Sequence, residues 1–169
     1  MKNLRLSRLF AWTVLLALPL WFGSCKKDDN PTVDNTTTIE GSYKISALTI
    51  SPAVLTITDL LAGSKLFFSN TTCLNDITIT FKTGGDATTD NPGSCSSIPV
   101  PVSTFTGIDA SSKWALSSNQ LTVTKGDGTK TVYTVLGTGA TLKLQWQGGL
   151  NYPTPNSNVY TYNMDLKKQ

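Results

Sequence analysis

Three observations predict an all-β chain, an antiparallel meander of about eight strands closed into a barrel or folded as a sandwich. Apolar residues alternate with polar ones through most of residues 43–166, turn-forming residues sit between the alternating segments, and most of the gaps are short enough for hairpins. The first strand is expected over 43–50. The second, 76–82, puts Ile77, Ile79 and Phe81 on one face, and 86–90 follows across Thr83-Gly84-Gly85. Trp114 and Leu116 mark a strand at 114–116, which Ser117-Ser118-Asn119-Gln120 turns into 121–125. Gly126-Asp127-Gly128 leads to 130–136, and Gly137-Thr138-Gly139 to 141–147, where Leu142, Leu144 and Trp146 oppose Lys143, Gln145 and Gln147. The last strand, 159–166, aligns Tyr160, Tyr162, Met164 and Leu166. Residues 59–66 alone read as a short helical segment, with Thr58 or Asp59 as its cap.

The N-terminus divides as an export signal does. Lys2, Arg5 and Arg8 precede an apolar run over 9–22, and Gly23-Ser24 precede Cys25. The run contains Pro19, is followed at once by Lys26-Lys27-Asp28-Asp29, and is shorter than the roughly 20 apolar residues a spanning helix needs. The expected organisation is a signal peptide at 1–24, a lipidated cysteine with a flexible tether at 25–38, and one domain at 39–169. Cys25 after two small residues looks like a bacterial lipobox, with Phe22 an imperfect match at its first position; the alternative is an ordinary secreted protein. One acyl chain holds a protein at a membrane only marginally, so stable anchoring implies several. Lys27-Asp28-Asp29 is similar to the lysine and acidic pair that accompanies surface display in lipoproteins of Bacteroidota type. The expected location is the cell envelope, lipid-anchored at the outer membrane and surface-exposed.

Charge removes other classes. The chain holds 14 basic and 11 acidic residues, and setting aside the three basic residues of the signal leaves the two in balance. A neutral domain without a basic run has no footprint for nucleic acid. It also has no histidine, the commonest general base and zinc ligand, and Asp86, Asp90, Asp109 and Asp127 fall in turn contexts where aspartate bonds locally. No enzyme activity, metal or cofactor is expected.

Two hairpin registers have consequences. With Thr83-Gly84-Gly85 as a three-residue loop, Lys82 faces Asp86, and the same register carried back through Asn91-Pro92-Gly93 places Cys73 opposite Cys95. An exported protein with two domain cysteines is expected to pair them, which stabilises the fold by about 3 kcal/mol. The pair is read as structural, since no Cys-x-x-Cys spacing is present. In the second hairpin, a two-residue Asp127-Gly128 loop would face Lys125 with Lys130 and turn Tyr133 outward. A three-residue Gly126-Asp127-Gly128 loop avoids that like-charge pair and points Tyr133 inward with Leu121 and Val123, and is preferred.

The order and spacing of several short pieces carry a family resemblance. From Gly41-Ser42-Tyr43-Lys44, through Cys73, Asp76-Ile77-Thr78-Ile79-Thr80-Phe81 and Cys95, to Lys113-Trp114-Ala115-Leu116, Leu121-Thr122-Val123-Thr124, Tyr133-Thr134-Val135 and Leu142-Lys143-Leu144, the chain resembles the lipocalin-like domains of Bacteroidota-type lipoproteins. Tyr43 stands where the lipocalin hallmark has tryptophan. The resemblance implies an up-and-down barrel with a site for a small hydrophobic ligand.

Alternation makes Tyr43, Phe81, Trp114, Tyr133, Trp146, Tyr160 and Tyr162 candidate ligand-lining residues, although the same aromatics would equally fill a core. The competing function is a surface interaction or structural protein, an accessory subunit or adhesin with a closed core. It would meet an envelope protein partner through its long connections at 51–75, 91–112 and 148–157. Ile98-Pro99-Val100-Pro101-Val102 and Tyr152-Pro153-Thr154-Pro155 are the stiff, partly apolar candidates within them.

Overall fold

The alternation becomes a ladder that closes on itself. In the computed structural model, which describes residues 38–69, 71–150 and 156–169, nine strands follow one another: β1 (Gly41–Val54), β2 (Ile57–Asp59), β3 (Thr78–Phe81), β4 (Asp86–Thr89), β5 (Ser112–Ser117), β6 (Gln120–Thr124), β7 (Lys130–Gly137), β8 (Thr141–Leu150) and β9 (Asn156–Lys168). From β3 each strand pairs antiparallel with the next, and β9 returns to pair with β1, so eight strands close an up-and-down barrel. The ninth, β2, folds back on the edge of β1 that β3 leaves open above Lys44. Closure leaves few unpaired edges, which is how an all-β chain avoids presenting them to solvent.

Both registers follow the sequence. Ile79 pairs with Thr89 and Phe81 with Ala87, and the Lys82 amide donates to the Asp86 carbonyl at 2.8 Å across the three-residue loop. Leu121 pairs with Tyr133, and the Lys125 amide donates to the Thr129 carbonyl at 2.8 Å, so Tyr133 points inward and is fully buried. One irregularity was not legible. At Ser46 the β1–β9 register shifts, and this bulge resets parity so that Leu48 and Ile50 continue the inward row begun by Tyr43 and Ile45.

Three short helices, α1 (Leu60–Phe67), α2 (Cys73–Asp76) and α3 (Ser103–Thr106), sit in the long connections. The expected segment at 59–66 is α1. Asp59 Oδ1 caps it, accepting from the Leu61 and Ala62 amides at 2.9 and 3.1 Å.

Cys73 and Cys95 are disulfide-bonded, with Cα atoms 4.6 Å apart. The route differs from the extended ladder expected. The β3–β4 ladder stops where the Asp90 amide reaches the Thr78 carbonyl. Beyond it Pro92, which has no N–H to give a ladder, leads into the 3-10 turn Gly93–Cys95, while Cys73 opens α2. The bridge thus joins a helix to a turn. In Ile98-Pro99-Val100-Pro101-Val102, a candidate partner-contacting loop, Ile98 is buried, and the partly buried Val100 and Val102 pack on the core.

Strand direction divides the barrel into two ends. At one lie the short turns 83–85, 118–119 and 138–140, the point where the chain enters at residue 38, and the C-terminus. At the other lie α1, α2, the disulfide, α3, the 126–128 turn and the end of β8.

Candidate functional site

The short-turn end is filled by side chains. Tyr43 stacks edge-on against Phe81, with ring centroids 6.0 Å apart, and Phe81 edge-on against Trp114 at 5.9 Å. Ile39 is buried with them in the core, Lys168 Nζ lies 5.9 Å from the Tyr43 ring centre, and the Trp114 indole donates to the Lys82 carbonyl at 3.1 Å. Burial pushes the Tyr43 phenol above its ordinary pKa, so it stays neutral.

The opposite end is open. A cavity of about 760 Å³ lies there, within the roughly 300–1,000 Å³ range of small-molecule sites. Leu48 of β1, Leu74 of α2, Phe105 of α3, and Leu60, Phe67 and Phe68 of α1 and its end supply apolar walls. Trp146 and Tyr162 complete them, their rings stacked 5.0 Å apart and 8° from parallel.

The cavity also opens sideways. Strands β7 and β8 pair at Thr134 with Gln145, Val135 with Leu144 and Gly137 with Lys143. Among the described residues no ladder joins 130–133 of β7 to 146–150 of β8. Each of these stretches pairs with its other neighbour, β6 or β9, and both edges contribute to the cavity wall. At Gly148 an added Cβ would meet only the rings of Tyr162 and Trp146, at 3.9 and 4.0 Å, so this edge carries no bulk.

Tyr133 is buried behind Trp146. Its ring packs edge-on against Trp146 at 5.3 Å, and its hydroxyl donates to the Thr106 carbonyl at 2.6 Å, tying α3 to the barrel wall. Burial pushes its phenol far above the ordinary value, which keeps the donor protonated. Gly107, at φ 70°, makes this approach feasible, since a Cβ there would sit 2.2 Å from the Tyr133 oxygen. Tyr162 is also raised, first by burial and then by Tyr160, and its hydroxyl donates to the Gly149 carbonyl at 3.0 Å.

Asp109 braces the rim. One carboxylate oxygen accepts from the Ser111 amide and the Ser112 hydroxyl, both at 2.9 Å, and the other from the Gly126 amide at 3.2 Å. Desolvation raises its pKa, but these donors outweigh it and the net shift is downward. Asp76, accepting from the Thr72 and Ser94 hydroxyls at 2.6 and 2.7 Å, is likewise lowered and links α2 to the 3-10 turn.

Of the seven aromatics singled out in the sequence, the structure brings Trp146 and Tyr162 to the cavity wall and sets Tyr133 behind them. Tyr160 is buried in the first half of β9, and Tyr43, Phe81 and Trp114 lie at the filled end, away from the cavity. Alternation identifies which side of the sheet a residue faces but not its height along the barrel. The walls contributed by α1 and α2, and the Lys125 and Lys130 of the rim, were not identified as lining. Lys125, two residues beyond the inward Leu121 and Val123, continues their face, and that alternation is its signal in the sequence. Cys25, and Tyr152-Pro153-Thr154-Pro155, lie outside the described residues. Among the described residues no three His, Cys, Asp or Glu side chains gather to hold a metal ion, and no helix is long and apolar enough to cross a membrane.

No curated protein and no solved structure matches the chain. A family model described as a lipocalin-like domain matches residues 39–144, from the buried residue ahead of β1 into β8. With that match over most of its length and a closed antiparallel barrel of eight strands, the chain belongs to the lipocalin-like domain family.

Proposed function

We propose that this is a membrane-anchored lipoprotein of the kind found in Bacteroidota, whose barrel binds a small hydrophobic ligand through its open end. The observation that carries the ligand reading is the cavity of about 760 Å³ walled by Leu48, Leu74, Phe105, Trp146 and Tyr162. An apolar guest there removes its own surface and that of the wall from water, at about 25 cal/mol per Å². The anchor reading rests on Gly23-Ser24-Cys25 behind a short apolar run. The two readings rest on separate parts of the chain.

Native mass spectrometry of the protein extracted from its own membranes is expected to show a bound small molecule, lost when Gly148→Trp fills the edge of the slot. A ligand-free mass under gentle extraction, with no apolar compound raising the melting temperature, would overturn the ligand reading. Cys25→Ser is expected to release the protein from the membrane fraction; unchanged fractionation would overturn the anchor.

A further inference from the structure

We infer that the ligand carries an anionic head group, held at the rim by Lys125 with Lys130 beside it, while its apolar body lies against Leu48, Leu74 and Trp146. This rests on the ligand-binding reading and adds the chemical class. Three features of the cavity support it. First, its wall is apolar apart from small hydroxyl and amide side chains and two ammonium groups, and no aspartate or glutamate lines it.

Second, Lys125 stands at the top of an otherwise apolar row, while Lys130, paired with Thr124 on the outer face, lines the cavity from the edge of the slot. Leu121 and Val123 point inward on β6, and two residues further Lys125 continues the same face, opposite Thr129 across the hairpin. Its ammonium is therefore the first charge above the apolar wall. Lys130 opens β7 at the edge of the lateral slot, so a chain passing between β7 and β8 brings its polar end alongside it.

Third, neither ammonium forms a salt bridge; among the described residues the ion pairs are Lys113 with Asp86 and Lys143 with Asp165. The acidic groups nearest the hairpin are occupied. Asp109 accepts from Ser111, Ser112 and the Gly126 amide. Asp127 accepts from the Thr129 amide at 2.8 Å, and Lys125 acts on it only through its field. An apolar wall ending in unpaired cations matches an amphiphile with a terminal carboxylate or other anion, and works against a cationic one.

The test is calorimetric titration of the purified protein with three probes of one chain length: dodecanoate, dodecanol and dodecyltrimethylammonium. Dodecanoate is expected to bind about tenfold more tightly than dodecanol, and dodecyltrimethylammonium more weakly than either. K125Q/K130Q should abolish the preference for dodecanoate and leave dodecanol unchanged, with circular dichroism confirming the fold. Raising salt to about 0.5 M should narrow the gap in the parent protein, because the rim is solvated. Equal binding of dodecanoate and dodecanol, or a preference that survives K125Q/K130Q, would overturn the head-group site and leave the apolar site standing. Failure of all three probes to bind would overturn both.

Discussion

The two ends of this barrel are built from the same strands and solve opposite problems. At the filled end, hairpin loops of two or three residues keep neighbouring strands paired to their tips, and the enclosed space is taken up by Ile39, Tyr43, Phe81 and Trp114. At the open end the strands separate: β3 leaves β1 above Lys44, β7 leaves β8 above Thr134, and short helices fill only part of the gap. Side chains hold the first end together, through edge-on aromatic contacts. Crosslinks and backbone ties hold the second: the Cys73–Cys95 bridge, the Tyr133 hydroxyl on Thr106, and the carboxylates of Asp76 and Asp109. A barrel of eight strands is just wide enough either to fill itself or to hold one small ligand. This one does the first at one end and leaves room for the second at the other.

The largest test of that contrast is Phe81→Ala. Phe81 is 1% exposed and sits between the rings of Tyr43 and Trp114, so truncation leaves a cavity that neither neighbour can collapse into. The expected loss is about 3–5 kcal/mol, read from urea denaturation, with ligand affinity unchanged wherever the variant remains folded. Second comes Cys73→Ser with Cys95→Ser, expected to lower stability by about 3 kcal/mol. Hydrogen exchange should then speed up in 68–77 and 91–98 while Phe81 and Trp114 remain protected. Uniform loosening of both ends would break the distinction drawn between them.

Tyr133→Phe tests the boundary between the ends. It keeps the ring against Trp146 but leaves the buried Thr106 carbonyl without its donor, which is expected to cost about 1–2 kcal/mol. Because that bond ties α3 to the wall, the variant should also weaken ligand binding, whereas Phe81→Ala should not.

The filled end was more legible than the open one, for a physical reason. Alternation and turn residues specify local pairing, so the Phe81–Ala87 register follows from Thr83-Gly84-Gly85 as a three-residue loop. The cysteine pair was legible for a weaker reason: the partners were right, but Pro92 ends the strand that was to bring them together. Helix α1 announced itself through Asp59, yet nothing local says that Leu60 and Phe67 wall a cavity. The slot was least legible. It depends on β7 and β8 diverging, a property of how twisted strands close around a circumference, and Gly148-Gly149 was its only trace in the sequence. For the same reason the ligand-lining set mixed Trp146 and Tyr162 with Tyr43, Phe81 and Trp114, which share their inward face and differ in height.

The smallest predicted effect is on acid stability, and it too separates the ends. Asp76 and Asp109, both at the open end, have pKa values lowered in the fold. For Asp76 the chief cause is the Thr72 and Ser94 hydroxyls; for Asp109 desolvation pulls the other way and is outweighed by Ser111, Ser112 and Gly126. A carboxylate whose folded pKa lies below its unfolded value of about 3.9 binds fewer protons in the native state. Its contribution is therefore complete above that value and is lost as pH falls through the lowered folded value. Asp109→Asn should cost about 1 kcal/mol at neutral pH, since the site is partly solvated, and should flatten the fall in stability below about pH 4. In the parent protein, hydrogen exchange near pH 3 should quicken first in 108–112 and 125–129, where Asp109 joins the rim to the β6–β7 turn. At the filled end the lowered carboxylate is Asp86, held down by Lys113, but that pair is exposed on the solvent side of the sheet, where an ion pair contributes little to stability, and the rings there do not titrate in this range. If acid opened 79–87 as early as 125–129, the open end would not be the part of the barrel held by charge.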